Sequence, residues 1–107
     1  MDIWTGLASL KANPTVKGFR RFEKGKAAYV NVVGWVESQK AFAERVKGHV
    51  EGLDYILVEL ENVQLLEARM SDEDFPEELI TMREAAVRQT ADTVFGTFHI
   101  YHQEGSN

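Results

Sequence analysis

The sequence predicts a single α+β domain in which a β-sheet carries two helices. Three observations predict it. Runs such as AAYVNVVGWV (residues 27–36) and DYILVELE (54–61) have the β-branched and aromatic content of strands. Two other stretches repeat apolar residues at helical spacing. A length of 107 residues suits one domain, residues 1–107, without repeat or linker.

Along the chain, DIWTGLASL (2–10) reads as a strand. KANPTVKG follows as a loop, with Asn13-Pro14 favouring a turn. GFRRF (18–22) reads as a short strand and EKGK (23–26) as a hairpin turn around Gly25. After the strand 27–36, Ser38 offers an N-cap. The helix behind it places Phe42, Val46, Val50 and Leu53 on one face, and Gly52 is a stop signal.

The strand 54–61 comes next. Glu61-Asn62 is expected to turn the chain into a return strand, VQLLEA (63–68). In the second helix, acids crowd the start and Arg83 and Arg88 the end, which suits the helix dipole. Pro76 fits its first turn, and Phe75, Leu79, Met82 and Ala86 form its buried stripe. VFGTFHIYH (94–102) is the last strand. The central order β-α-β-β-α-β is that of a ferredoxin-like open-faced sandwich. Two helices would lie on one side of a mainly antiparallel sheet, widened by one or two extra N-terminal strands.

Strand residues alternate between two faces. Alternation puts Ala28, Val30, Val32 and Val36 on an aliphatic face, packed against Phe42, Val46, Leu79 and Met82. The opposite face would gather Tyr29, Asn31, Trp35, Tyr55, Phe95, His99 and Tyr101, with Glu59 and Thr97 among them. A helix-free face of this kind marks an interface or ligand groove. His99 and His102 are three apart on a strand, so they face opposite ways and do not share one ligand.

The net charge of −5 is uneven. Residues 1–50 hold nine Lys+Arg and four Asp+Glu; residues 51–107 hold three and thirteen. The basic run is KGFRRFEKGK (17–26). The acidic run includes Asp72, Glu73, Asp74, Glu77 and Glu78. Such polarity steers a charged partner. Phe19 and Phe22 within the basic run echo single-strand nucleic-acid binders. The acidic whole and the lack of an RNA-recognition motif speak against nucleic acid. No apolar run is long enough for a membrane helix, and the N-terminus lacks the apolar core of a signal peptide, so a cytoplasmic protein is expected.

With no cysteine, thiol catalysis, disulfides and zinc–thiolate sites are excluded. Ser9, Ser38, Ser71 and Ser106 lie in no nucleophile elbow, and no phosphate-binding loop or zinc-histidine motif occurs. No metal or other cofactor is expected. His99 with Glu59, Asn31 and Tyr101 has the ingredients of acid–base chemistry, but an interface histidine explains it as well. His49, at the edge of the first helix's apolar stripe, reads as a partly buried packing residue.

The stretches KAAYVNVVGWVES, LVELENVQLL and FGTFHIY resemble a group of small bacterial α/β proteins, most of them uncharacterised. In size, charge and build the chain also resembles immunity proteins that neutralise bacterial toxins. The acidic stretch Glu67–Glu78, the aromatic sheet face and the absence of catalytic motifs point to a non-catalytic binding protein, and an immunity protein is one such case. Asp72, Glu73, Asp74, Glu77 and Glu78 would supply charge and a Tyr or Trp would anchor the partner. The alternative expectation is a homodimer whose paired sheet faces enclose a small-ligand pocket.

Overall fold

The computed structural model describes residues 2–12, 26–88 and 93–102, and of Lys26, Ile100, Tyr101 and His102 the backbone only. The loop at Pro14, the strand expected at Gly18–Phe22, the hairpin turn around Gly25 and the basic run up to Lys24 lie outside the described residues. The elements are β1 (Asp2–Ala12), β2 (Lys26–Val36), α1 (Gln39–Gly52), β3 (Tyr55–Leu65), α2 (Leu66–Met70), α3 (Glu78–Arg88), β4 (Val94–Phe95) and β5 (His99–His102). The fold is α+β with an antiparallel sheet, as expected.

β1 lies between β2 and β3 and pairs with both antiparallel. β4 and β5 lie end to end along the free edge of β2, so five strands form four ranks in the order β3, β1, β2, β4/β5. Phe95 sits opposite Val32 and His99 opposite Tyr29, so the stretch 96–98 holds one residue more than the β2 segment facing it. That extra residue is a bulge, and it reverses the faces beyond it.

The return strand at 63–68 is corrected. Asn62 has a left-handed backbone (φ 54) and forms a bulge where the pairing with β1 slips. Asparagine tolerates that conformation. Because β1 extends far enough to keep pairing, β3 runs on to Leu65 opposite Trp4, and the chain then enters α2. The expected β-α-β-β-α-β run is therefore β-α-β-α-α-β-β, preceded by one extra strand, β1, which sits in the middle of the sheet.

α1 forms as its sequence predicts at the start: the Ser38 hydroxyl accepts from the Ala41 amide at 3.1 Å. Its end differs. Gly52 is still helical, Leu53 donates back to the carbonyls of His49 and Val50, and Asp54 makes the left-handed turn (φ 66). Phe42, Val46 and Val50 are fully buried against Ala8, Leu10, Ala28, Val30, Val32 and Val36. At Gly34 an added Cβ would stand 3.2 Å from Phe42 and from Thr93, so glycine lets this helix approach the sheet.

The second helix is where the expectation fails most clearly. Leu79, Met82 and Ala86 of α3, with Leu66 of α2, pack around Val33, whose side chain leaves β2 on the face opposite Val30 and Val32. α1 thus covers one face of the sheet, and α2 with α3 covers part of the other. The two helices do not share one side. Helical spacing shows that Leu79 and Met82 are buried but carries no information about which face buries them.

Candidate functional site

The face behind Val33 carries two features of interest. The first is a polar node where α3 meets the bulge between β4 and β5. Glu78 opens α3, and its carboxylate accepts from Asn31 Nδ2 and from the Thr97 amide, both at 2.9 Å. Gly96 donates its amide to the Asn31 carbonyl at 2.8 Å. Partial burial opposes ionisation of Glu78. The bonds from Asn31 and Thr97, with the positive field of His99, outweigh that and hold the carboxyl below its ordinary value. An added Cβ at Gly96 would stand 2.6 Å from Glu78 Oε1, so a side chain there would have to displace the carboxylate. The node pins a helix to an irregular strand, which is a positioning role.

The second is a cavity of about 640 Å3 at the far end of the same face. Its apolar wall is formed by Ile3, Trp35, Leu66, Met70 and Val87. Three charges line it as well: Asp2, Glu67 and Arg83. None of the three forms an ion pair among the described residues; the described pairs are Arg69 with Asp72 at 3.4 Å and Arg88 with Glu84 at 3.5 Å. A shallower depression of about 360 Å3 along α3 shares Met70, Arg83 and Val87 with the cavity and adds Ile80. Ile80 and Val87 are about half exposed, at 48% and 45%. The two hollows form one groove with Arg83 at the junction.

The acidic residues expected to bind a partner divide. Asp72, Glu73, Asp74 and Glu77 are exposed in the turn between α2 and α3, not in the helix itself, which begins at Glu78. Pro76 precedes the helix and offers its carbonyl to Leu79 at 3.1 Å. Glu78 is half-buried and committed to the node. The acidic turn and the groove belong to the same side of the molecule, since both are built by α2, α3 and their connection.

The aromatic face also divides. Tyr29, Asn31, Trp35 and His99 lie on the second face, and the register places Tyr101 there, although its side chain is outside the described set. Tyr55 and Phe95 are corrected to the α1 face. Tyr55 is 1% exposed in the core under α1, and Phe95 stacks on His49 of α1 with ring centroids 4.7 Å apart. Register slips in β3 and the bulge at 96–98 explain both reversals, because strict alternation does not hold across them. Glu59 is likewise remote from His99, on β3 at the opposite edge of the sheet. His49 packs as expected, and its Nδ1 lies 2.8 Å from Thr93 Oγ1.

Sequence reasoning missed the cavity. α2 is only five residues long, too short to show a period, and Asp2, Trp35 and Arg83 meet only through sheet and helix placement. One signal was available: Ile80 and Val87 are apolar yet lie off the Leu79–Met82–Ala86 stripe. Among the described residues no group of three or more His, Asp or Glu is arranged to hold a metal, and no helix is long and apolar enough to cross a membrane. No protein-family model, curated protein or solved structure matches this chain.

Proposed function

We propose that this chain is a binding protein without catalytic activity that captures a basic protein partner on the side built by α2 and α3. The observation that supports the reading is the pairing of an open apolar groove with an exposed acidic turn on that side. Residues 66–88 hold seven acids against three arginines. Charge of this kind raises the association rate and selects against acidic partners, while a groove wall of Trp35, Met70 and Val87 supplies desolvated contact. Toxin neutralisation in a bacterial cytoplasm is the instance that the sequence resemblance implies.

The alternative of a ligand pocket moves with the geometry. The cavity lies between sheet and helices of one chain, so a second copy is not needed to enclose it.

The test uses a lysine-rich amphipathic peptide of about twenty residues as probe, with its acidic mirror, in which Glu replaces Lys, as control. The basic peptide is expected to bind, and raising the salt from 50 to 300 mM to slow its association. Reversing Asp72, Asp74 and Glu77 to lysine should slow association about tenfold or more. Equal binding of both peptides, or an unchanged rate in the reversed variant, overturns the reading.

A further inference from the structure

α3 carries apolar residues along two separate lines. Leu79, Met82 and Ala86 are buried around Val33. Ile80 and Val87 lie off that stripe, remain about half exposed and line the shallower hollow along the helix. Arg83 and Glu84 stand between them on the same side, because residues at i, i+3, i+4 and i+7 share one helix face. All four side chains are exposed. Packing within the chain therefore does not account for this second line.

The order of the four is self-complementary. Ile80 and Val87 are equidistant along the helix from the point between Arg83 and Glu84. A two-fold axis through that point lays a second α3 antiparallel to the first. Each Ile80 then meets Val87 of the other copy, and each Arg83 meets Glu84 of the other copy. Arg83 has no ionic partner among the described residues. Glu84 has Arg88 of its own helix at 3.5 Å, a well-exposed pair of little strength. The antiparallel arrangement also sets Arg88 of each copy toward the acidic turn that precedes the other α3. Two chains of net charge −5 repel, so self-association needs a surface where cations collect. Residues 51–107 hold three Lys+Arg, and two of these, Arg83 and Arg88, line this hollow.

We propose that the exposed face of α3 is the seam of a two-fold homodimer, with Ile80 and Val87 as its apolar contacts and two Arg83–Glu84 pairs at its centre. α3 has eleven residues and is about 16 Å long. One helix pair of that length stays below the roughly 1,200 Å2 of a stable specific interface, so the dimer is a weak one that dissociates on dilution. It leaves the cavity to be enclosed by each chain alone and covers the groove along α3. A second copy and the basic partner of the preceding reading therefore compete for one surface, although the dimer does not depend on that reading.

The test is sedimentation equilibrium of the intact chain from about 10 to about 500 μM, the range in which a small interface associates. The average mass should rise from that of one chain toward that of two. Val87→Asp should leave a monomer throughout. Arg83→Glu and Glu84→Lys should each weaken association about tenfold or more, since each sets like charges against one another at the seam. An equimolar mixture of those two variants should recover the parent's association, because each chain then supplies the charges that the other lacks. That recovery also shows that neither variant is merely misfolded, which circular dichroism checks independently. A parent that stays monomeric, a charge variant that associates like the parent, or a mixture that stays monomeric would each overturn the seam. A monomer that still captures the basic peptide ends the dimer and leaves the binding reading; a dimer that ignores the peptide does the reverse.

Discussion

The two faces of the sheet are built on different terms. Under α1 the interior is closed: Phe42, Val46 and Val50 are fully buried on aliphatic strand residues, and Gly34 lets the helix settle close. Behind Val33 the cover is partial. α2 and α3 bury Leu66, Leu79, Met82 and Ala86, yet they leave a cavity at one end and hold the other end by hydrogen bonds to Glu78. One face is a core. The other is a core that shades into an open groove, and polar bonds do part of the positioning. Native interiors are close-packed, so a hollow of about 640 Å3 next to a packed cluster belongs to the surface and not to the core.

The contrast can be broken most forcefully through the packed cores. Phe42→Ala should destabilise the chain by about 3–5 kcal/mol, because its surroundings are filled and cannot collapse inward. Leu79→Ala should cost less, about 2 kcal/mol, since the adjacent cavity gives neighbours room to move. Urea denaturation of the two variants measures both. A Leu79 variant as damaged as the Phe42 variant would show that the second face is as tightly closed as the first.

A smaller effect is expected at the node. Gly96→Ala should displace the Glu78 carboxylate from Asn31 and Thr97, costing about 1–2 kcal/mol, the range for hydrogen bonds to a charged group at a partly exposed site. The same change made in a Glu78→Ala background should cost much less. Additive costs in that double-mutant cycle would mean that Gly96 serves some purpose other than making room for the carboxylate.

The smallest effect concerns pH. Glu78 has a folded-state pKa below its ordinary value of 4.5, so ionised Glu78 favours the fold. Its contribution is complete above that ordinary value and is lost as pH falls through the depressed one. Glu78→Gln should therefore flatten the acid limb of stability against pH below about 4.5 and leave the curve near neutrality parallel to that of the parent. An acid limb of unchanged slope would assign acid sensitivity to other carboxylates.

What could be read from the sequence follows from which signals are local. The β1, β2 and β3 compositions, the Ser38 cap and the Phe42–Val46–Val50 stripe depend on residues within a few positions of one another, and each forms as read. Failures arise where one residue resets a long-range relation. Asn62 makes a bulge instead of a turn, so the expected return strand becomes the end of β3 and a short helix. One extra residue between Phe95 and His99 places them on opposite faces, though their spacing of four predicts the same one. The helix stripe Leu79–Met82–Ala86 is symmetric with respect to the two sides of a sheet, so its side is set by the connection from β3 and not by its own pattern. The site shares these limits. Asn31 and His99 could be grouped by alternation, whereas Glu78 joins the node, and Arg83 the cavity, only once α3 is on the second face.

β3 also has a second consequence, at its outer side. It is the terminal rank of the sheet, and its eleven residues include exposed Val58 as well as Glu59 and Glu61. An open strand edge invites other chains to add to it, and charge is a common guard against that. Here the guard is a pair of acids close enough that the hydrogen bond protonated Glu61 donates to the Glu59 carboxylate, and the negative charge of Glu59, raise the pKa of Glu61. Glu61 therefore takes up a proton before an ordinary glutamate does. Mild acid therefore weakens this guard first, while Glu78, whose carboxyl is held below its ordinary value, still keeps its charge at the other end of the sheet.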